Sequence, residues 1–147
     1  MYRKVLVAYN GTPGSRCALR EAIRIVSDAS VEVHLAGVVS HPAEFLAGGQ
    51  DGGPGVVFSG ESARKEMEEY LREGHKFLVD HGLNITDHLL IGEPVDVLSE
   101  LVSKLGIDLL IVGYPRGTPI VLRWWRGSVG KWLIERIPCS ILVAGSA

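Results

Sequence analysis

Cysteine is scarce in this chain of 147 residues, which holds only Cys17 and Cys139. The two stand far apart and lack metal-ligand spacing, which excludes a cysteine-based metal module. Nothing asks for an oxidising compartment, and both read as small apolar residues, Cys17 in a helix and Cys139 just before a strand. A surplus of one charge is missing as well, since the formal net charge is -2. A nearly neutral chain has no global pull toward nucleic acid or an anionic membrane, so an anionic ligand has to be held by a local site. No apolar run reaches the roughly 18 residues of a membrane helix. The run after Arg3 and Lys4 stops at Asn10-Gly11, too short for a signal-peptide core followed by a cleavage site. These absences make the cytoplasm the expected location. What is present is 46% hydrophobic and 22% charged residues, enough for one globular domain over 1–147 with a real core.

The hydrophobic pattern alternates between two periods. Val5-Leu6-Val7-Ala8 is a continuous apolar run closed by the turn cluster Asn10-Gly11-Thr12-Pro13-Gly14, as expected of a strand buried on both faces. From about Ser15, a plausible N-cap, to Ser27, Ala18, Leu19, Ala22, Ile23 and Val26 recur at helical spacing. Residues 31–39 are rich in β-branched side chains and predict a second strand. The stretch 40–60, with its glycines and two prolines, predicts a flexible loop, and a loop this long is either functional or disordered. A charged helix follows over 61–81, ended by Gly82. Ile85 to Leu90 reads as a third strand, and Gly92-Glu93-Pro94 turns into a helix whose inner face carries Val95, Leu98, Leu101, Val102 and Leu105. Asp108 to Val112 reads as the fourth strand. A helix around Ser128 to Arg136, then Pro138, precede the fifth strand at Ile141 to Ala144. This β-α alternation predicts an α/β fold, an open parallel five-stranded sheet with helices on both faces. Ligands in such folds sit beyond the carboxyl ends of the strands, where strand order reverses.

The loop after the fourth strand has the makings of an anion site. It runs through Gly113, Arg116 and Gly117 to Gly127 and Ser128, where a helix begins. Glycines let the backbone approach phosphate oxygens, a helix N-terminus offers free N–H groups, and Ser128 adds a hydroxyl. Arg116, Arg123 and Arg126 are available charges. The same composition also fits a turn whose glycines serve geometry alone. Gly127-Ser-Val-Gly130-Lys131 is not a P-loop, because Trp132 follows the lysine and the first glycine is too close.

Taken in order, Val5-Leu6-Val7-Ala8, Gly92-Glu-Pro with its helix, Asp108-Leu-Leu-Ile-Val-Gly113, Gly127-Ser128 and Pro138-Cys-Ser-Ile-Leu-Val143 resemble the universal stress protein family over nearly the whole chain. The resemblance implies a Rossmann-like fold of the adenine nucleotide alpha hydrolase type. Many members bind ATP through a Gly-x-x-Gly, nine residues, Gly-Ser/Thr signature. Gly117, nine residues and Gly127-Ser128 match its second half. Gly113 and Gly117 are separated by three residues rather than two, so the first half is altered. The resemblance places ATP or AMP against Ala8, Asn10 and Val38, the last through its backbone. Its phosphates would lie on Gly113, Arg116, Gly117, Gly127, Ser128 and Val129. Where the family's ATP binders carry aspartate, this chain has Asn10, which brings no carboxylate for Mg2+. The family also contains members that bind no nucleotide.

Two further readings follow. The resemblance suggests a homodimer paired through the last strand, Ile141 to Ala144, an otherwise exposed apolar edge. A slow ATPase is the third reading, and no residue offers a convincing general base. His34 and His88 fall in strands as structural residues, and His41 lies just after the second strand. A response regulator is excluded, because the acidic cluster after the first strand and the phospho-acceptor aspartate are missing. The adjacent Trp124 and Trp125 point in different directions. Either one packs on the helix while the other covers the loop, or they mark a contact surface.

Overall fold

The computed structural model describes residues 1–39, 53–114 and 134–145. Five strands form one sheet in the order β3-β2-β1-β4-β5. They are β1 (Lys4–Ala8), β2 (Glu32–Val39), β3 (Ile85–Ile91), β4 (Leu109–Tyr114) and β5 (Ser140–Gly145). All neighbouring pairs are parallel. The described helices are α1 (Pro13–Ile25), α2 (Gly53–Asp80) and α3 (Pro94–Leu105), and residues 134–136 add a short helical turn. None of these helices is long and apolar enough to cross a membrane.

β1 is central because its residues are apolar on both faces. Val5, Leu6 and Val7 are all fully buried, as a strand covered on both sides requires. Side chains alternate across a strand, so the odd residues Val5, Val7, Val33, Leu35, Leu109 and Ile111 join one core with Leu19, Leu71 and Leu78. The even residues Leu6, Ala8, Ala36, Leu110 and Val112 join the other, with Val95, Leu98, Leu101 and Val102 of α3. β1 starts under a clamp. The Asp108 carboxylate accepts the Arg3 N–H at 2.9 Å and the Lys4 N–H at 3.0 Å, and the Lys4 ammonium donates to the Leu105 carbonyl at 3.0 Å.

Three sequence expectations need correction. The first helix begins at Pro13, with Thr12 rather than Ser15 as its N-cap; the Thr12 Oγ1 accepts the Ser15 N–H at 3.2 Å. Proline fits the first helical position, where no N–H is needed. The helix also stops at Ile25 rather than Ser27. The second helix begins at Gly53, inside the expected loop of 40–60. Pro54 is tolerated in a first turn, and the regular helix of 61–80 extends backward over weak helix formers. Residues 40–52 lie outside the described part. Finally, β4 runs through Gly113 to Tyr114, so Gly113 is a strand residue and not the start of the loop. It stays in the sheet because it pairs with Ala144 of β5. Of the helix expected at 128–136, only the helical turn at 134–136 is described.

Candidate functional site

Strand order reverses between β1 and β4. The chain leaves β1 for β2 and β3 on one side, and returns on the other with β4 and β5. The carboxyl ends of these strands therefore open a crevice, bounded by the turn from β1 into α1. Ala8 and Val38 lie on the same face at this end. Ala8 is buried and pairs with Ala36, and Val38, two residues further along β2, is half-buried.

Among the described residues, nothing pairs with the β1-facing edge of β2 beyond Ala36. The Tyr9 N–H donates to the Ala36 carbonyl at 2.9 Å, and the β1–β2 register ends at Ala8 and Ala36. The peptide groups of Val38 face the same side as those of Ala36, where β1 has already turned away. On its other side Val38 pairs with Leu90 of β3, which holds the strand rigid up to its end. A donor and an acceptor on a fixed strand edge, over a floor made by Ala8 and Val38, suit a flat heteroaromatic ring.

The turn from β1 to α1 is knitted by its own side chains. The Asn10 Oδ1 accepts both the Thr12 N–H at 3.2 Å and the Thr12 hydroxyl at 2.6 Å. Ser15, itself buried, accepts the Asn10 N–H at 3.3 Å and donates to the Thr12 carbonyl at 2.9 Å. The Asn10 side-chain oxygen is thus committed within the turn, and the amide nitrogen is the other polar atom of that side chain. Gly11 has φ +80°, and a β-carbon there would sit 2.5 Å from the Tyr70 ring. Tyr70 of α2 therefore lies directly over the turn.

Gly113 stands at the other wall. A β-carbon on it would come within 1.9 Å of the Gly14 carbonyl oxygen, so the N-terminus of α1 rests on the bare backbone of β4. A glycine at 113 is required by this helix-to-strand approach irrespective of any ligand. Arg116, Gly117, Gly127, Ser128 and Val129 lie outside the described residues, as do Arg123, Trp124, Trp125, Arg126 and His41. Of the sequence-derived candidates, the structure brings together Ala8, Asn10, Val38 and Gly113.

A polar group beside the crevice had no sequence signal. Tyr9 is buried, and its hydroxyl donates to Glu73 Oε1 at 2.8 Å. Arg16 closes the set at 3.4 Å from the same carboxylate oxygen. Burial pushes the Tyr9 phenol above its ordinary value, Arg16 works against that, and Glu73 adds to it. Tyr9 continues an apolar strand and gives no hint of a partner on a helix 64 residues away.

A family model described as the universal stress protein family matches residues 1–145. This chain belongs to the universal stress protein family. Among curated relatives, universal stress protein MJ0531 of Methanocaldococcus jannaschii is 27% identical over 143 residues, covering 97% of this chain and 82% of that protein. The solved structure of the protein MJ0577 superposes with a TM-score of 0.77 at 21% identity, covering 100% of this chain and 98% of that one. A universal stress protein in complex with cAMP gives 0.68 at 23% identity, with 99% and 98% covered. A family member from Arabidopsis thaliana with AMP bound gives 0.63 at 17% identity, with 98% and 92% covered. These likenesses share the parallel sheet and its flanking helices. Within the universal stress protein fold, the crevice described above is the end of the sheet where strand order reverses.

Proposed function

We propose that this universal stress protein is an adenine-nucleotide-binding regulator of the stress response, acting in the cytoplasm and taking ATP or AMP at the β1–β4 crevice. The observation that carries this reading is the peptide edge of Val38, unpaired on its β1 side among the described residues, above Ala8 at the strand-order reversal. The cAMP and AMP complexes of other family members support it. The described residues fit the nucleoside end of such a ligand: Val38 reads the ring edge, Ala8 packs under it, and the Asn10 amide nitrogen donates toward the sugar. Gly117, Gly127, Ser128 and Val129, with Arg116, form the phosphate cradle in this proposal. Binding biases the loops around the crevice and hence a partner interaction.

The test is acid denaturation of the purified protein followed by mass spectrometry of the released small molecules. ATP, ADP or AMP at near-stoichiometric amounts is the expected result. Gly127→Val is expected to abolish nucleotide binding with the fold intact by circular dichroism. Empty protein that also fails to bind added ATP would overturn the reading.

A specific observation favours a second reading, a nucleotide-free homodimeric module. β5 is an edge strand on which Val143 is 47% exposed, and an uncovered apolar edge invites pairing. Val143→Lys is expected to turn a dimer into a monomer, read by light scattering, if Ile141 to Ala144 form the contact.

A further inference from the structure

Two histidines expected as plain strand residues are hydrogen-bonded to each other. His34 of β2 is 4% exposed, and His88 of β3 is half-buried. The register sets His88 opposite Ala36, so the two rings meet diagonally on the same face. His34 Nδ1 and His88 Nε2 are 2.9 Å apart, and His34 Nε2 lies 2.6 Å from Glu32 Oε1. The ring centroids are 5.0 Å apart. β3 is an edge strand, with β2 its single neighbour among the described strands.

The proton positions follow from what each atom can do. An ionised carboxylate only accepts, so His34 Nε2 carries the hydrogen given to Glu32. In a neutral ring His34 Nδ1 is then an acceptor, and His88 Nε2–H donates to it. His88 Nδ1 keeps a lone pair. A first added proton goes to His88 Nδ1 and leaves both hydrogen bonds intact, because the proton between the rings is shared whichever ring carries the charge. A second has only the space between the rings. It would put N–H groups on both facing nitrogens, destroy the bond and set two cations side by side.

Among the described residues, the surrounding charges give little relief. Glu32 on β2 steadies His34. Asp87 on β3 is hydrogen-bonded to His75 at 2.9 Å. On α3, Lys104 adds a like charge, Asp96 is held by Arg136, and Glu100 is exposed. Burial foremost, then His34, and last Lys104 push the His88 imidazole below its ordinary value, against an opposing contribution from Asp87.

We propose that the Glu32–His34–His88 chain is a proton-operated latch holding the edge strand β3 on β2, closed with none or one added proton and opened by the second. Opening reaches the candidate site, because Val38 pairs with Leu90, two residues past His88.

The test is a titration of ¹⁵N-labelled protein from about pH 8 to about pH 4.5, spanning the histidine range. Imidazole nitrogen shifts are followed beside amide-exchange protection factors. The expected result is one proton per pair, appearing on His88 Nδ1, with the amides of residues 85–91 unchanged. At lower pH the second proton and at least a tenfold loss of protection in those amides arrive together, while β1 and β4 keep theirs. In His88→Gln, whose amide donates without titrating, β3 is expected to follow β1 and β4 throughout. Double protonation with β3 still protected, or the same acid loss in His88→Gln, would overturn the latch. Should that variant fail to fold, the wild-type titration decides alone.

Discussion

A β-carbon at position 113 would stand 1.9 Å from the Gly14 carbonyl oxygen, and the atoms it meets are backbone atoms of α1 rather than the end of a flexible side chain. Gly113→Ala is therefore expected to cost about 3 kcal/mol or more, the upper range for overpacking, read as a lower urea midpoint. Because that penalty is structural, a loss of nucleotide binding in this variant would say nothing about phosphate contacts, whereas Gly127→Val is the informative change. Tyr9 makes a second residue-scale case. Its phenol is raised above 10.0 by burial, so the folded protein holds that proton more tightly than the unfolded chain. The resulting stability is fully present below about pH 10 and is lost as pH rises through the folded value. Tyr9→Phe is expected to remove that alkaline slope and, by losing the bond to Glu73, to cost about 1 kcal/mol at neutral pH. Urea midpoints measured at several alkaline pH values check both. Asn10 completes the set: its oxygen is occupied by Thr12, so nucleotide affinity is expected to change less than about threefold on removing Mg2+, as calorimetry would read.

The elements were mostly legible in the sequence, for reasons that also explain the misses. Continuous apolar runs such as Val5-Leu6-Val7-Ala8 have few alternatives to a doubly covered strand, and the α3 face Val95, Leu98, Leu101, Val102 is at helical spacing. Element ends were the weak point. Thr12 and Ser15 both suit an N-cap, and Pro13 decides between them only once its place in the first turn is seen. Glycine-rich composition hid the start of α2, because a helix can extend over poor formers when its body is already fixed. What lay beyond reading was side-chain pairing across elements. Asp108 looked like the first residue of a strand, yet it receives the backbone N–H groups of Arg3 and Lys4 at the start of β1. Asp108→Ala is expected to cost about 2 kcal/mol, as for hydrogen bonds to a charged group, and to speed amide exchange at residues 3 and 4 selectively. The His34–His88 contact was hidden for the same reason, since it depends on the register between β2 and β3.

At the scale of the whole molecule, the reversal of strand order makes β1 the hinge of the architecture. It pairs with β2 on one side and, through Val5, Leu6 and Val7, with residues 109–111 on the other. The candidate crevice is placed at its carboxyl end, where the chain order runs away from β1 on both sides. The same arrangement sets a timetable for the newborn chain. While the polypeptide emerges from the ribosome, the three most deeply buried residues of the first strand lack a whole flank until residue 111 has cleared the exit tunnel. At about 5–20 residues per second that is a wait of roughly 5–20 s with apolar surface uncovered. The chain is thus most vulnerable during its own synthesis, and a holding chaperone should crosslink to nascent chains ending before β4 and release those ending well beyond it.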